Sequence, residues 1–232
     1  MKRFLFFCSI FLTLTILTTI TYAQQKPISG GSLTIAQGVE PPGLDPTTAT
    51  SAAIPRVVYS NVMEGLLKID RNGKIVPALA KDYKISRDGK EITFLLERRV
   101  KFHDGKPFDA EDAKFTLDRL MDTKTGTAHP EYYKDIESVQ VVDSHTLKIK
   151  LKNVNSMIFF NLARPDSIIV NKQIVDKLKS APIGTGPFKF IEWVRGDHIT
   201  LAKFDEYRKK GIPYLDKVTF KFIGDPSAQI AS

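Results

Sequence analysis

The side chains best suited to acid–base or metal chemistry in this sequence are four histidines, His103, His129, His145 and His198. None of them shows a His-x-x-x-His spacing, and the sequence contains no Gly-x-Ser-x-Gly nucleophile motif. General acid–base catalysis needs a positioned partner, and His103-Asp104 reads instead as the end of a strand followed by a tight turn. The sequence therefore predicts no catalytic residue, no metal site and no cofactor.

A glycine-rich segment at residues 184–187, Gly-Thr-Gly-Pro, has the composition of a phosphate cradle. However, Pro187 lacks the backbone N–H that such a cradle uses, and the residues after it predict a strand rather than a helix. The segment is therefore interpreted as a structural turn.

Arg164 is the side chain whose setting most favours ligand binding. It ends an apolar segment, residues 157–163, and is followed by Pro165 and Asp166. An arginine at a rigid corner can offer a fork of donors to a carboxylate. The same residue can instead form a structural ion pair with Asp166, and the residues alone leave the two interpretations open.

The elements that would position these side chains are predicted from hydrophobic periodicity and turn residues. Residues 32–36 alternate as a strand and run into a proline-rich loop at 40–46, where regular structure is excluded. Apolar spacings of three and four over residues 54–67 indicate a helix that passes into a strand. Asn72-Gly73 and Asp88-Gly89 then predict hairpin turns within one antiparallel meander over 66–96.

Asp109 predicts the N-cap of a further helix, with Asp112 favourably placed three residues later. The remaining predicted elements are helices at 155–163 and 171–179, and strands at 138–142, 146–151, 188–193, 199–203 and 217–223. Asp225-Pro226 predicts a last helix, which reaches the end of the sequence after fewer than two turns. We therefore expect the sequence to be part of a longer chain.

Composition excludes several classes of protein. Of the 232 residues 42% are hydrophobic and only one is cysteine, which excludes a disordered chain and a disulfide scaffold. Lys and Arg number 34 against 26 Asp and Glu, but the two signs are interleaved along the chain. The basic balance therefore predicts a solvated surface and no nucleic-acid partner.

The first 23 residues are predicted to be a secretory signal peptide. Lys2 and Arg3 precede an apolar stretch that runs to Ile20, and small residues lead to a cleavage site after Ala23. Serine and threonine dilute the stretch, which is also short for a membrane anchor. Cleavage would remove Cys8 and lower the net charge from +8 to +6.

Three ordered motifs carry a resemblance to a known family. They are residues 86–94 (SRDGKEITF), 100–112 (VKFHDGKPFDAED) and 182–188 (PIGTGPF). In this order they resemble the family 5 extracellular solute-binding proteins, the peptide and nickel receptors of bacterial ABC importers. The resemblance implies a mixed α/β fold of the type II periplasmic-binding-protein kind, a two-lobed clamshell of which this chain would form the first lobe, with the second lobe absent.

The resemblance also implies how that lobe, residues 24–232, is divided and where it binds ligand. One subdomain would comprise about 30–50 plus 181–232, and an inserted subdomain about 51–180. Nickel-chelate binders of the family hold ligand carboxylates with an arginine that precedes a proline, the position that Arg164 matches. Glu40 and Thr50 match the family's first cleft-lining stretch.

The function implied by the resemblance is non-enzymatic capture of peptides or similar small solutes in the periplasm. The partners would be an ABC permease and ATPase at the inner membrane, with the receptor itself a monomer. Metal chelates such as nickel complexes, or opine-type ligands, are the alternative within the family, and a secreted hydrolase is the alternative of another class. Because one lobe supplies only half of the ligand contacts, we expect residues 24–232 alone to bind weakly or not at all.

Overall fold

The structure, a computed structural model, describes residues 27–173 and 175–231. The predicted signal peptide, with Cys8 and the cleavage site after Ala23, lies outside the described residues. Within the described part of the chain, no helix combines the length and apolar character needed to cross a membrane.

One four-stranded sheet joins the beginning and the end of the chain. Its order is β1 (Ser32–Gln37), β10 (Lys217–Phe222), β9 (His198–Lys203) and β8 (Phe188–Val194). β1 pairs in parallel with β10, and the other neighbours are antiparallel. On β9 and β10 the buried side chains include Leu201 and Phe220, which place one face of the sheet against the protein interior.

A second four-stranded sheet is antiparallel throughout. Its order is β4 (Ala80–Ile85), β5 (Glu91–Leu96), β7 (Thr146–Leu151) and β6 (Ile136–Asp143). Alternate residues of β5 and β7, among them Phe94 and Ile149, are fully buried, because successive side chains of a strand point to opposite faces of the sheet.

The prediction of one continuous meander over residues 66–96 is wrong. β2 (Leu67–Ile69) and β3 (Ile75–Pro77) pair only with each other, so the hairpin at Asn72-Gly73 forms a separate two-stranded sheet. The reason lies just after β3, where the backbone N–H groups of Ala78 and Leu79 donate to the carbonyls of Leu66 and Gly65. The chain is thereby turned back before β4 begins.

The helices are α1 (Ala53–Val58), α2 (Ala110–Met121), α3 (Met157–Asn161) and α4 (Pro226–Ala231). The predicted cap of α2 is confirmed: Asp109 accepts from the backbone of Glu111 and Asp112, and the Asp112 carboxylate accepts from the Asp109 backbone. The cap of α4 is confirmed as well, because Asp225 accepts from the backbone of Ser227 at 2.6 Å.

Two helix predictions need correction. α1 ends at Val58, and the chain from 59 to 66 reaches β2 through irregular structure rather than through a longer helix. The predicted helix at 171–179 is wrong, because the described residues of this range form only a 3-10 turn, Val175–Lys177. At its start the Asn171 side chain accepts from the backbone N–H of Gln173 at 2.9 Å, a local bond that competes with helix formation.

The buried apolar side chains form two cores. The β4–β7 core contains Phe94, Leu117 and Ile149, together with the α3 region, whereas the β8–β10 core contains Leu201 and Phe220. Residues 54–63 and 168–178 contribute to the β8–β10 core, although the sequence-based limits assign them to the inserted subdomain. The two-subdomain division itself stays a prediction.

Candidate functional site

A cavity of about 110 Å³ lies where the two cores meet. One wall is formed by the loop and helix start at residues 46–55, of which Ala49 packs against the β8–β10 core. The other wall is formed by His129 and residues 164–166, which directly follow Ala163 of the β4–β7 core. Arg164 is therefore placed at a junction between two packed units.

Local packing fixes the backbone of Arg164. Ile158, Leu162 and Ala163 are fully buried, so the α3 segment cannot rotate without exposing apolar surface. Arg164 itself is extended, and its carbonyl accepts from the backbone N–H of Ser167 at 3.1 Å and from the Ser167 hydroxyl at 3.0 Å. The predicted rigid corner is confirmed.

The Arg164 side chain is held on two sides but keeps free donors. Its Nε donates to Asp166 Oδ1 at 2.9 Å, and its guanidinium carbon lies 4.5 Å from the ring centroid of Tyr132. Its Nη groups make no hydrogen bond with any described residue, and the side chain is 27% exposed. The ion pair with Asp166 is thus present, and it leaves most of the donor fork available for a ligand.

Asp166 adds a buried carboxylate to the same cavity. Its side chain is only 9% exposed and lines the cavity together with Arg164 and Pro165. Oδ1 is bonded to Arg164, whereas Oδ2 is buried and has no hydrogen-bond partner among the described residues. The Arg164–Asp166 pair therefore places opposite charges next to each other at the cavity wall.

The structure brings Thr50 and Arg164 together but places Glu40 elsewhere. Thr50 is exposed and lines the Arg164 cavity. The Glu40 carboxylate accepts from the indole N–H of Trp193 at 2.8 Å and from the backbone N–H of Gly196 at 3.1 Å. Glu40 thus holds the β8–β9 turn in this structure, and its ligand role stays a prediction, as do those of Thr50 and Arg164.

His129 and Tyr132 belong to the site, although neither residue was selected from the sequence. The two rings stack with centroids 4.6 Å apart and planes inclined by 20°, and His129 Nδ1 lies 3.1 Å from Glu131 Oε1. Pro130 after His129 was the available signal, because proline favours the first position of the short helical turn found at Pro130–Tyr133.

Hydrogen bonds across the junction hold the two walls together. Asp45 accepts from the backbone and hydroxyl of Thr47 and pairs with Arg119 of α2, whose guanidinium also donates to the Thr47 hydroxyl. The backbone N–H of Ala128 donates to the Thr47 carbonyl at 2.8 Å. The 40–47 loop is therefore tied directly to the segment that carries His129.

The structural interpretation of His103 and of the glycine-rich turn is confirmed. His103 Nδ1 accepts from the backbone N–H of Gly184 at 3.3 Å, and Nε2–H donates to the Gly186 carbonyl at 3.0 Å. Burial lowers the pKa of His103 to about 4, so the ring is neutral at pH 7. Both ring nitrogens are used to hold the turn in place.

The glycines in this turn are required by close packing. A Cβ on Gly184 would lie 2.0 Å from the Val62 carbonyl oxygen, and one on Gly186 would lie 2.3 Å from that of Asn61. The turn is thereby pressed against the chain that connects α1 to β2.

A buried ion pair beside this turn was not anticipated. Arg208 donates from both Nη atoms to the Glu64 carboxylate, which also accepts from the Thr185 hydroxyl and the Tyr207 hydroxyl, each at 3.1 Å. The side chains of Glu64 and Arg208 are only 7% and 6% exposed. In the sequence both residues look like ordinary surface charges.

Comparison with known proteins gives consistent results. A sequence profile described as "Bacterial extracellular solute-binding proteins, family 5 Middle" matches residues 74–232. The glutathione-binding protein GsiB of Pectobacterium atrosepticum is 33% identical over 201 residues, which cover 85% of this chain and 39% of that protein. The chain thus spans about two fifths of the length of the curated relatives it matches.

Solved structures of binding proteins share this fold. The binding protein AgaA from A. tumefaciens R10, in complex with agropinic acid, superposes with a TM-score of 0.81 and 36% identity over 87% of this chain and 41% of that one. The oligopeptide-binding protein AppA of Bacillus subtilis, in complex with a nonapeptide, superposes with a TM-score of 0.82 and 30% identity. The match covers 89% of this chain and 42% of that one. The predicted mixed α/β class and the single lobe of a type II periplasmic-binding-protein fold are confirmed.

Proposed function

The chain belongs to the family 5 bacterial extracellular solute-binding proteins, and from this we propose that it acts as a receptor of an ABC importer. In this role it captures a small solute in the periplasm and delivers it to a membrane permease driven by an ATPase. The role is one of binding and release, without chemical conversion of the ligand. The relatives reported above are binding proteins by name, which supports a receptor rather than the hydrolase alternative.

The observation that carries this proposal is the free donor fork of Arg164 in the cavity between the two cores. Its Nη groups have no partner among the described residues, and its position is fixed by Asp166 and Tyr132. A guanidinium held in this way is suited to a carboxylate, which it can bind through two parallel hydrogen bonds. We therefore assign carboxylate recognition to Arg164, with Thr50 on the opposite wall as a further contact.

The ligand class that fits is a small peptide or an amino-acid derivative with a free carboxylate. Glutathione and peptides both carry this group, and GsiB and AppA are a glutathione-binding and an oligopeptide-binding protein. An opine is the second candidate, because AgaA with agropinic acid is 36% identical to this chain. Both candidates present a carboxylate, so they would use the same arginine.

Transport requires that ligand binding favour a closed receptor. A ligand shifts the equilibrium between open and closed forms only by its differential contacts with the two states, and in a clamshell these contacts come from both lobes. The lobe described here supplies one set of contacts. We therefore expect the chain alone to bind its ligand weakly, but already to prefer ligands that carry a carboxylate for Arg164.

The test measures weak binding directly. The chain is titrated with glutathione, with a tripeptide and with an opine, and binding is followed by NMR chemical-shift changes of the protein. We expect wild type to bind at least one of these ligands and Arg164→Ala to weaken that binding by about tenfold or more, as for the loss of a hydrogen-bonded charge. Arg164→Lys keeps the charge but loses the fork and should fall between them.

Arg195→Ala is the matched control, because Arg195 lies over the Trp193 ring, is 60% exposed and does not line the cavity. It should bind like wild type. If Arg164→Ala binds every ligand as tightly as wild type does, the assignment of the site is wrong.

A further inference from the structure

We propose that His129 is a second ligand-binding residue of this cavity, and that its Nε2 accepts a hydrogen bond from an ammonium group of the ligand. Together with Arg164, this makes the cavity selective for an α-amino-acid head group, in which an ammonium and a carboxylate are attached to one carbon. The inference rests on the proposed function and narrows its ligand class.

The first step is the tautomer of His129. Nδ1 lies 3.1 Å from Glu131 Oε1, and an ionised carboxylate can only accept a hydrogen bond. The pKa of Glu131 is held below its ordinary value by its own backbone N–H and by His129, so the carboxylate is ionised at neutral pH. Nδ1 must therefore carry a proton, and Nε2 is the nitrogen of this tautomer that presents a lone pair.

The second step is the position of the ring. His129 stacks on Tyr132, and the neighbouring Ala128 is tied by its backbone N–H to the Thr47 carbonyl. No hydrogen bond joins Nε2 to another described residue, and His129 lines the same cavity as Arg164. The ring is thus oriented by its neighbours while its acceptor nitrogen is left for another molecule.

The third step is the distance between the two groups. The Arg164 guanidinium lies 4.5 Å from the centroid of the Tyr132 ring, and the His129 ring lies 4.6 Å from that same centroid. Both residues also line the same cavity, so one ligand bound there can contact both.

The fourth step is charge. Arg164 is faced by the Asp166 carboxylate, and His129 is faced by the Glu131 carboxylate. Negative charge therefore balances or exceeds positive charge around the cavity. This balance disfavours a ligand with carboxylates alone and favours a zwitterion, whose ammonium meets the histidine lone pair.

The test compares two probes that differ only at the amino group. Glutathione carries a free α-ammonium, and N-acetylated glutathione lacks it, whereas both keep their carboxylates. We expect wild type to prefer glutathione by about tenfold or more, the effect of one hydrogen bond to a charged group. His129→Phe keeps an aromatic ring to stack on Tyr132 but removes the acceptor, so the preference should fall below about threefold.

His145→Phe is the matched control, because His145 bonds to Ser144 and lines a different cavity, and it should keep the wild-type preference. A second measurement does not depend on any ligand. At about pH 8, above the ordinary imidazole pKa of about 6.5, side-chain ¹⁵N NMR should show the proton of His129 on Nδ1.

The outcomes separate the two proposals. If His129→Phe keeps the full preference for glutathione, or if the proton is found on Nε2, the inference about His129 is overturned while the receptor function stands. If wild type binds no carboxylate-bearing probe at all, the assignment of carboxylate recognition to Arg164 in this lobe is wrong, and the inference fails with it.

Discussion

Replacing Glu64 by glutamine should destabilise the protein by about 3–5 kcal/mol, because the change leaves the Arg208 guanidinium buried without its counter-charge. Both side chains are more than nine-tenths buried, so solvent cannot take over the role of the lost carboxylate. Burial disfavours the charged guanidinium, but the hydrogen bonds and charge of Glu64 outweigh that effect and raise the pKa of Arg208. A guanidinium is not deprotonated in proteins even when it is buried, so Arg208 remains charged in the variant.

The size of the effect follows from the contacts of the carboxylate. Glu64 accepts from both Nη atoms of Arg208 and from the hydroxyls of Thr185 and Tyr207. Glutamine keeps one acceptor oxygen, but its amide NH₂ would face donors on the other side, so at least one buried donor loses its partner. A total stability of about 5–15 kcal/mol is usual for a domain, so this loss would be a large fraction of it.

The assay is urea denaturation at pH 7, followed by circular dichroism, for wild type and three variants. Glu206→Gln is the control, because the Lys101–Glu206 pair is 48% and 55% exposed, and its loss should cost less than about 1 kcal/mol. Glu64→Gln/Arg208→Met removes both charges and should be more stable than Glu64→Gln alone. A cost below about 1 kcal/mol for Glu64→Gln would refute the claim that this pair is buried and coupled.

Three further predictions concern the turn, the buried histidine and a helix cap. Gly184→Ala should lower the free energy of unfolding by about 3 kcal/mol or more, because the new Cβ would overlap the Val62 carbonyl. Gly43→Ala is the control, because its Cβ meets only ordinary contacts and stability should change little. Equal losses of stability in the two variants would contradict the packing argument. His103 has a folded pKa of about 4 against 6.5 unfolded, so the unfolded state binds more protons between these values and stability is lost as pH falls from about 6.5 to 4. As the pH falls from about 6.5 to 4, the free energy of unfolding of wild type should decrease by about 3 kcal/mol relative to that of His103→Gln. If the difference in unfolding free energy between the two proteins does not vary with pH, the ring is not buried in its neutral form. Asp109→Ala should cost about 1–2 kcal/mol by removing the cap of α2, while Asp109→Asn should lose less; identical losses for the two would argue against a capping role.

The features that could be predicted from the sequence are those encoded by neighbouring residues. The cap at Asp109, the hairpin turn at Asp88-Gly89 and the alternation of β5 each depend on residues within a few positions of one another. The pairing of β1 with β10 joins residues such as Ser32 and Lys217, and no local pattern specifies it. The error over residues 66–96 has the same origin, because the turn-back that separates the two sheets depends on backbone bonds to Gly65 and Leu66.

In the candidate site too, some residues could be selected from their sequence neighbours and others only from contacts made in the folded chain. Arg164 could be selected because an arginine after an apolar segment and before a proline already implies a fixed, polar corner. His129 gave no such signal, since its importance comes from Tyr132, Glu131 and a shared cavity. Glu64 and Arg208 are 144 positions apart, and only the folded chain shows that they pair.

The bonds across the junction also bear on how a receptor of this kind would gain affinity. Tyr59 donates its hydroxyl proton to the Ala163 carbonyl at 2.7 Å, and Asp45 pairs with Arg119, so both walls of the cavity are fixed without a ligand. A preformed site loses little conformational entropy on binding, which favours selectivity at low cost. In the proposed receptor, the remaining affinity and the closure of the clamshell would come from ligand contacts made outside this lobe.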